Sequence, residues 1–371
     1  MHIAIFNWRD IKNPKSGGAE IVTQKHARGW VKAGHRVTLV CPAFRDCKWE
    51  ETIDRVQYVR LGIRTNFNYL FIYFLAFIYY HQFLKGKVDL VIDEIHGLPF
   101  FTPLYVREKK LAFICEVAGE IWDKMFPKPL AFVGRQIENY YFSLYKKIKF
   151  LTISQSTKRD LIQGGIIAEN ITVIYPGVNI NTPKKSPAKE KNSTLIWLNR
   201  INKMKNLKDA ILAFNIIQES MKNSRFIVAG KVDDRGYYKE CQNLAENLGI
   251  KNKIRFLGFV DEQEKMNLLS QVHLLLHTSV KEGWGINVLE ANLCQTPAVS
   301  YNVEGLRETV KDSYSGLLCI ENNPSELAKE VIGLLQDKKK YSKMQENCLR
   351  WARKFTWEKA IKESLRLMEN G

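Results

Sequence analysis

Short apolar runs alternate with longer amphipathic segments along the chain, and this alternation starts again after a polar stretch near the middle. Ile3–Asn7 predicts a strand, Glu20–Ala33 a helix and Arg36–Val40 a second strand. Residues 181–194 are polar, rich in lysine and contain proline, as is typical of a linker, and the run 195–198 then predicts a new strand. Because alternating strands and helices build helix-covered parallel sheets, we predict an α/β protein with two domains in tandem.

The predicted domain limits follow from that linker. The chain has 371 residues, which is enough for two domains that each bury a core of their own. We expect an N-terminal domain over residues 1–180, the linker over 181–194 and a C-terminal domain over 195–350.

Charge and cysteine content restrict the partners and the compartment. The formal net charge is +17 at pH 7, an excess that favours phosphorylated substrates, an anionic membrane surface or nucleic acid. The basic residues are spread over both halves without a zinc-finger or RNA-binding motif, so nucleic acid is not expected. The seven scattered cysteines include no C-x-x-C pair, which favours reduced thiols in a cytoplasmic protein.

A nine-residue stretch, 282–290, carries two carboxylates around a pair of glycines and a short apolar run. The apolar run Val272–Leu276 predicts a buried strand, and Ile286–Leu293 predicts a helix. A glycine-containing turn between a strand and a helix directs backbone N–H groups at an anion. Glu282 is expected to reach the reactive end of a ligand, and Glu290, about two helical turns further on, a neighbouring part of it. The turn comprises Gly283, Trp284, Gly285 and Ile286.

Two further segments carry candidates for phosphate binding. Arg200 and Lys205 lie just after the first predicted strand of the second domain, beside a predicted helix start, and suit a diphosphate. They are also compatible with solvated surface charges. Gly17 and Gly18 occupy the first turn between strand and helix, where an open α/β sheet binds ligands. They form no G-x-G-x-x-G motif, and a simple tight turn is the alternative.

Polar residues also follow two predicted strands of the first domain. His96 follows the strand 88–92, and Glu116 follows the strand 111–114. Because the carboxyl ends of parallel strands carry the chemistry of such sheets, both residues are candidates for catalysis. A purely structural role is the alternative for each.

The segment 69–80 consists only of aromatic and aliphatic residues. As a helix it would be about 18 Å long, which is short of a ~30 Å hydrocarbon core. A helix that is apolar all round is either a core helix or lies against a membrane. The nearby cations Arg60, Arg64, Lys85 and Lys87 suit an interfacial position on anionic lipid. Both interpretations stay open, with a membrane span as the third.

Taken in order, these segments resemble the motifs of the retaining nucleotide-sugar glycosyltransferases of family 4, which have the GT-B fold. The E-x₇-E motif of that family corresponds to Glu282 through Glu290. Its G-R-x₄-K phosphate motif corresponds to Arg200 and Lys205, with Asn199 in place of the glycine. Further matches are the glycine loop at Gly17 and Gly18 and the closing segment 176–179.

The resemblance implies two Rossmann-like domains facing across a cleft, with the donor mainly on the C-terminal domain and the acceptor mainly on the N-terminal one. Arg200 and Lys205 would neutralise the donor diphosphate. Glu282 would contact the donor sugar near the reacting carbon, Glu290 would hold the ribose, and the amides of 283–286 would line sugar and phosphate. The chain has no Asp-x-Asp motif, so we expect a reaction without metal or other cofactor.

One feature departs from the family. Many relatives carry a histidine just after the strand that here ends at Ile114, where this chain has Cys115 and Glu116. Either Glu116 takes over part of that role, or His96 approaches from the neighbouring loop, or the activity is altered. The expected catalytic residues are therefore Glu282, Glu116 and His96.

The resemblance predicts transfer of a sugar from a UDP- or GDP-linked donor to a hydroxyl of a glycan or lipid-linked acceptor, as in cell-envelope polysaccharide or glycolipid synthesis. Together with the basic charge and the aromatic segment 69–80, it favours a cytoplasmic protein that lies peripherally at the inner face of the plasma membrane. It also implies that residues 351–371 form a helix that crosses back to the first domain. The alternatives are a sugar-nucleotide 2-epimerase of the same fold and a non-catalytic nucleotide-sugar-binding protein.

Overall fold

The computed structural model confirms the α/β class and the presence of two compact units. The first unit comprises Met1–Pro176 with Trp357–Gly371, and the second comprises Gly177–Thr356. The parts of the chain that the structure describes are residues 1–64, 71–119, 122, 128–179 and 188–369.

The first unit is built on an eight-stranded sheet with the order β3-β4-β2-β1-β5-β6-β7-β8. All neighbouring strands pair in parallel except β3 and β4. The strands are β1 (His2–Phe6), β2 (Arg36–Pro42), β3 (Glu50–Ile53), β4 (Val56–Leu61), β5 (Leu90–Ile95), β6 (Lys109–Ile114), β7 (Lys149–Thr152) and β8 (Ile171–Val173). The helices before residue 177 are α1 (Gly18–Lys32), α2 (Ile72–Tyr79), α3 (Lys128–Tyr145) and α4 (Gln155–Gln163).

The second unit contains a six-stranded parallel sheet with the order β11-β10-β9-β12-β13-β14. Its strands are β9 (Thr194–Leu198), β10 (Arg225–Ala229), β11 (Ile254–Gly258), β12 (Leu274–His277), β13 (Ala298–Ser300) and β14 (Gly316–Leu318). Its helices are α5 (Leu207–Ser220), α6 (Arg235–Asn247), α7 (Glu262–Gln271), α8 (Ile286–Leu293), α9 (Leu306–Thr309), α10 (Pro324–Gln336) and α11 (Lys338–Ala352).

The second sheet is buried on both faces, as a parallel sheet requires. Side chains alternate across a strand, so Leu195 and Trp197 pack with Phe214 on one face. Ile196 packs with Leu275 on the other face. The apolar runs that predicted strands from the sequence are therefore apolar because both of their faces lie in a core.

Each sheet has one point at which the strand order reverses. In the first unit it lies between β1 and β5, and in the second between β9 and β12. Chain segments that leave such neighbouring strands diverge to opposite faces of the sheet. The crevice that this opens at the carboxyl ends is where open α/β sheets bind ligands.

The boundaries differ from the predicted ones at two places. Residues 180–187 lie outside the described part of the chain, but the remainder of the predicted linker is attached to the second unit. Lys189 Nζ donates to the carbonyl of Val272 at 2.7 Å, and the amide of Glu190 donates to Gln271 at 2.9 Å. The second unit also begins earlier than predicted, at Gly177.

The predicted C-terminal helix 351–371 is wrong at its start. Trp351 lies near the end of α11 in the second unit, where its indole N–H donates to the carbonyl of Thr309 at 2.7 Å. The C-terminal helix that returns to the first unit is α12 (Trp357–Glu369). The aromatic residues before Trp357 are thus held by partners within the second unit.

The aromatic segment 69–80 forms α2 from Ile72 onward, whereas Tyr69 and Leu70 lie outside the described residues. Ile72 and Ala76 are buried against the sheet, but the opposite face is exposed: Phe71 by 64%, Phe74 by 63% and Phe77 by 39%. One face of α2 therefore belongs to the core, as one interpretation predicted, and the other face does not. Within the described ranges, no helix combines the length and apolarity that crossing a bilayer requires.

Candidate functional site

Glu282 lies in the loop after β12, at the point where the second sheet reverses its strand order. Its Oε1 atom accepts a 2.5 Å hydrogen bond from Nζ of Lys205, which comes from the loop after β9. The hydroxyl of Ser279 donates to the same oxygen at 2.9 Å. Two residues 77 positions apart are thus joined because their strands are neighbours in the sheet.

The surroundings of Glu282 favour its charged form. Burial by itself would raise the pKa of the Glu282 carboxyl, but Lys205, together with His277 and Ser279, outweighs burial and lowers the pKa below its ordinary value of 4.5. The side chains of Glu282 and Lys205 are only 12% and 17% exposed. Glu282 is therefore a carboxylate at neutral pH, suited to accept hydrogen bonds and to face positive charge.

The loop after β9 also links Arg200 to the pair. Arg200 Nη1 lies 3.1 Å from Asp233 Oδ2, and the Arg200 side chain remains 40% exposed. Asn202 Nδ2 donates to the same Asp233 oxygen at 3.4 Å, and the Asn202 side chain accepts from the amide of Lys205 at 3.2 Å. The two cations predicted for phosphate binding are therefore linked to each other through Asp233, Asn202 and the backbone amide of Lys205, and to Glu282 through the Lys205 ammonium.

The turn between Glu282 and α8 depends on two glycines. Gly285 has a φ of +85°, and a Cβ there would approach Leu306 Cδ2 to 2.7 Å. Gly305 has a φ of +75°, and its Cβ would lie 2.3 Å from the carbonyl oxygen of Glu282. Side chains are excluded at both positions. Helix α8 starts at Ile286, as predicted, with Gly285 as its N-cap.

Trp284 occupies the same turn but points into the core. Its side chain is 3% exposed, and its ring packs edge-on against Phe355 at a centroid distance of 5.5 Å. Any contact with a ligand would therefore come from the backbone of this residue.

Glu290 forms a separate ion pair. Lys265 from α7 donates to Glu290 Oε1 at 2.6 Å and also lies 2.8 Å from Glu262. Burial raises the pKa of Glu290, and Lys265 offsets only part of that effect. Because α8 begins at Ile286, Glu290 lies just beyond the first helical turn, while Glu282 precedes the helix. The two glutamates are thus held by different lysines.

His277 was missed in the sequence. It is the last residue of β12, its side chain is completely buried, and its Nε2 atom lies 3.5 Å from Glu282 Oε1. Burial lowers the pKa of His277 to about 4, with Lys205 adding to the effect and Glu282 opposing it. The ring is therefore neutral at physiological pH. Its position at a strand end, five residues before Glu282, is the one signal that would have singled it out.

The corresponding edge of the first unit carries His96. His96 Nε2 lies 3.2 Å from Oε1 of Glu94, a fully buried carboxyl at the end of β5 that sequence reasoning missed. Asn7, just after β1, donates to the other oxygen of Glu94 at 2.5 Å, and the Thr23 hydroxyl donates to Oε1. Burial raises the pKa of Glu94, with His96 and Thr23 opposing this. The ring of Trp8 stacks on His96 at 5.4 Å.

Gly17 and Gly18 lie at the start of α1, close to this edge. The amide of Gly17 donates to Glu20 Oε2 at 2.6 Å, so the Glu20 side chain caps the start of α1. A Cβ on Gly18 would meet nothing within 4 Å. Packing within the described chain therefore does not explain the glycine at position 18.

Glu116 is half-buried and follows β6, next to β5 in the sheet. The register pairs Ile95 with Ile114, so His96 and Glu116 leave the sheet at the same edge. Cys115 between them is buried, and burial together with the charges of Glu94, Glu20 and Glu116 raises the pKa of its thiol well above the usual range. All seven cysteines are among the described residues, and all are buried free thiols.

Two family models match the chain in succession. The model "Glycosyltransferase Family 4" matches residues 16–182, and "Glycosyl transferases group 1" matches residues 178–351. The chain belongs to glycosyltransferase family 4. For this family 4 chain, the two matched segments correspond to the two structural units.

Curated relatives of the family 4 chain carry related names. An uncharacterized glycosyltransferase of Methanocaldococcus jannaschii is 28% identical over 211 residues, which are 53% of this chain and 53% of the relative. A D-inositol 3-phosphate glycosyltransferase of Thermobispora bispora is 28% identical over 298 residues, which are 76% of this chain and 67% of the relative. The match thus spans about half the length of the first of these relatives.

Solved structures show the same fold. HepE of Anabaena, in complex with UDP and glucose, superposes with a TM-score of 0.77 at 18% identity, and the match covers 100% of both chains. The family 4 chain therefore has the GT-B fold, with two Rossmann-like units.

Proposed function

We propose that this chain is a retaining glycosyltransferase that transfers a sugar from a nucleotide-sugar donor to a hydroxyl of a glycan or lipid-linked acceptor. The observation that carries this proposal is the connected group of Arg200, Lys205 and Glu282 at the reversal point of the second sheet. It combines two cations with a permanently ionised carboxylate, which suits a ligand that has both a diphosphate and a sugar.

In the proposed donor complex, Arg200 and Lys205 bind the diphosphate. Negative charge grows on the leaving diphosphate as the bond to the sugar breaks, and cations held in place stabilise that charge. Arg200 is 40% exposed and so accessible to a ligand. The backbone amides at the start of α8 add the positive end of a helix.

Glu282 then contacts the sugar near the reacting carbon. Positive charge develops on that carbon in glycosyl transfer, and an ionised carboxylate opposes the charge with its own. The lowered pKa of Glu282 fits this electrostatic role better than proton transfer. Glu290, one helical turn into α8, is proposed to hold the ribose of the nucleotide.

Arg200 and Lys205 would supply the positive charge that other transferases take from a bound cation. We propose on this basis that the reaction needs no metal ion. The donor nucleotide is proposed to be UDP or GDP, and the complexes of HepE with UDP and with UDP-glucose support the first choice.

The first unit is proposed to bind the acceptor at the edge formed by Asn7, Glu94 and His96. Hydroxyl groups are recognised by paired donors and acceptors, and Glu94 holds His96 in a defined orientation there. We assign to His96, with Glu116 on the neighbouring strand, the contact with the attacking hydroxyl.

Helix α2 is proposed to bind an anionic membrane surface. Its outer face carries Phe71, Phe74 and Phe77, and Lys85 and Lys87 follow it. Phenylalanine enters the boundary between headgroups and acyl chains, while lysine pairs with lipid phosphate. This arrangement favours a lipid-linked acceptor, and hence synthesis of an envelope glycan at the inner face of the plasma membrane.

The central test is release of nucleotide from a panel of UDP-glucose, UDP-galactose, UDP-N-acetylglucosamine and GDP-mannose, with and without membrane extract as acceptor source. Release that depends on the extract, with the anomeric configuration kept in the product, is expected. A 2-epimerase would convert the donor at the same rate without extract. Binding without turnover of any donor would point to the non-catalytic alternative.

A matched pair of lysine variants locates the site. Lys205→Ala is expected to lower nucleotide release about 100-fold or more, because it removes a charge that stabilises the leaving group. Lys208→Ala serves as the control, since Lys208 is 41% exposed and pairs with Glu240 on the surface. Equal activity of the two variants would exclude Lys205 from the donor site.

A further inference from the structure

The Nε2 atom of His277 lies between two possible partners. It is 3.4 Å from Nδ2 of Asn199, the residue that replaces the glycine usual in the family, and 3.5 Å from Glu282 Oε1. An amide N–H needs the lone pair of Nε2, whereas a carboxylate needs an N–H there. The atom cannot serve both at once, so the tautomer of His277 decides which partner it has.

The second ring nitrogen leaves this choice open. Nδ1 of His277 is buried and has no partner in hydrogen-bonding geometry among the described residues, although the Asn287 amide lies near the ring. An unsatisfied buried nitrogen is unfavourable whether or not it carries the proton. The needs of Asn199 and Glu282 at Nε2 therefore determine the position of the proton.

Whether Glu282 needs an N–H donor from His277 depends on the position of Lys205. In the structure Lys205 occupies Oε1 at 2.5 Å, with Ser279 as the second donor. In the proposed donor complex the same ammonium group is attracted by the diphosphate. Glu282, only 12% exposed, would then lose its strongest donor while it has to remain a carboxylate.

We propose that His277 is a positioning residue that donates Nε2–H to Glu282 when the donor diphosphate engages Lys205. His277 thereby holds the carboxylate in place against the sugar. This inference rests on the proposed function, because it requires a diphosphate at Lys205. The neutral ring donates to Glu282 in the tautomer that carries its single N–H on Nε2, so this role requires no uptake of a further proton.

The test is a double-mutant cycle on UDP binding, measured by titration calorimetry with the full chain. His277→Leu keeps most of the volume of the ring and removes the donor. In the wild-type background it is expected to weaken UDP binding about tenfold, because one hydrogen bond to a buried charge is lost. In the Lys205→Ala background Glu282 depends on His277 with and without UDP, so the same substitution is expected to change affinity less than twofold.

A conservative variant separates positioning from packing. His277→Gln retains an N–H donor and is expected to bind UDP within about threefold of wild type. Asn199→Gly removes the competing amide and is expected to bind UDP at least as tightly as wild type, which keeps the proposal testable if His277→Leu does not fold.

Two results would overturn the role of His277. One is an equal loss of affinity from His277→Leu in both backgrounds, which is the behaviour of a residue needed only for packing. The other is wild-type affinity in His277→Leu. If wild type itself binds neither UDP, GDP nor ADP, the proposed function fails first, and that outcome is distinct because no variant is needed to see it.

Discussion

The two sheets reverse their strand order in the same way, but the buried carboxyl group beside each reversal point has different partners. In the second unit the carboxyl group of Glu282 is met by the ammonium of Lys205, and its pKa is lowered. In the first unit the carboxyl group of Glu94 is met by the amide of Asn7, a hydroxyl and the His96 ring, and its pKa is raised by burial. Beside the reversal point, the second unit thus holds a carboxyl group with a lowered pKa, and the first unit holds one with a raised pKa.

The difference shows how one architecture provides two kinds of site. A carboxylate beside cations suits a ligand such as a nucleotide sugar, in which positive charge develops on the sugar and negative charge on the leaving diphosphate. A carboxyl among neutral donors suits recognition of hydroxyl groups. Whether the pKa of the glutamate is lowered or raised depends on the partner that the neighbouring chain segment supplies and not on the glutamate itself.

The largest expected effect on turnover comes from replacing each of the two glutamates with glutamine. Glu282→Gln is expected to lower nucleotide release about 100- to 1,000-fold, because a neutral amide does not oppose positive charge at the sugar carbon. Glu240→Gln, on the surface of the same unit, is the control and should keep full activity. If Glu94→Gln lost more activity than Glu282→Gln, the roles assigned to the two sheet edges would be reversed.

The membrane-binding face that we propose for α2 belongs to the first unit. The double variant Phe74→Ser, Phe77→Ser is expected to reduce flotation with anionic vesicles about tenfold, because each exposed phenylalanine contributes apolar area to the lipid boundary. Ile320→Ser, in the second unit at an 81% exposed position, is the matched control. Flotation of wild type that does not require anionic lipid, or that survives the double variant, would contradict this assignment.

Stability should respond more strongly to the substitution in the second unit. Glu282→Gln leaves Lys205 nearly buried without its counter-ion, and we expect a loss of about 1–3 kcal/mol in the free energy of unfolding at pH 7. Glu94→Gln removes a group whose charged form is disfavoured by burial but also one oxygen that accepts from the donors around it, so the free energy of unfolding should change by less than about 1 kcal/mol. Urea unfolding of both variants at pH 7 measures this.

The pH dependence carries the same contrast. The pKa of Glu282 is lowered on folding, so its contribution is present above the ordinary pKa of 4.5 and is lost as the pH falls towards the folded value. The pKa of Glu94 is raised on folding, so its cost appears as the pH rises above 4.5 through the folded value. The stability difference between wild type and Glu282→Gln should therefore shrink in acid, while that for Glu94→Gln should grow at neutral pH.

The smallest expected effect concerns metal ions. If lysine and arginine neutralise the diphosphate, chelation with EDTA should change the rate of nucleotide release by less than about twofold. Loss of activity that Mg²⁺ or Mn²⁺ restores would show that the cations of the second unit are not sufficient for the diphosphate.

The α/β class, the two units and the start of α8 at Ile286 could be predicted from the sequence. These features depend on local properties: apolar runs of strand length, helical periodicity and a glycine with positive φ. The ion pair between Lys205 and Glu282 was accessible indirectly, because both residues belong to motifs of one family. Their direct contact follows from the pairing of β9 with β12.

Glu94 and His277 were missed for a physical reason. Two partners of Glu94, Asn7 and Thr23, lie 87 and 71 residues away in the sequence, and a buried acid inside an apolar run has no local pattern that reveals them. The start of the C-terminal helix was misplaced because tryptophan and phenylalanine suit either core equally well. Trp351 packs in the second unit, where it donates to the carbonyl of Thr309. Trp357 packs in the first unit, where its ring meets the His26 ring edge-on at 6.2 Å.

The position of α12 also affects the order in which the protein matures during synthesis. The hydroxyl of Ser364 lies 3.0 Å from His26 Nδ1 and accepts from the Trp30 indole at 2.9 Å, so α12 completes the packing of α1. Residues 1–176 leave the ribosome long before residue 364 does. The core around α1 is therefore completed only when the C-terminal residues of the chain have left the ribosome, after the whole second unit has been synthesised.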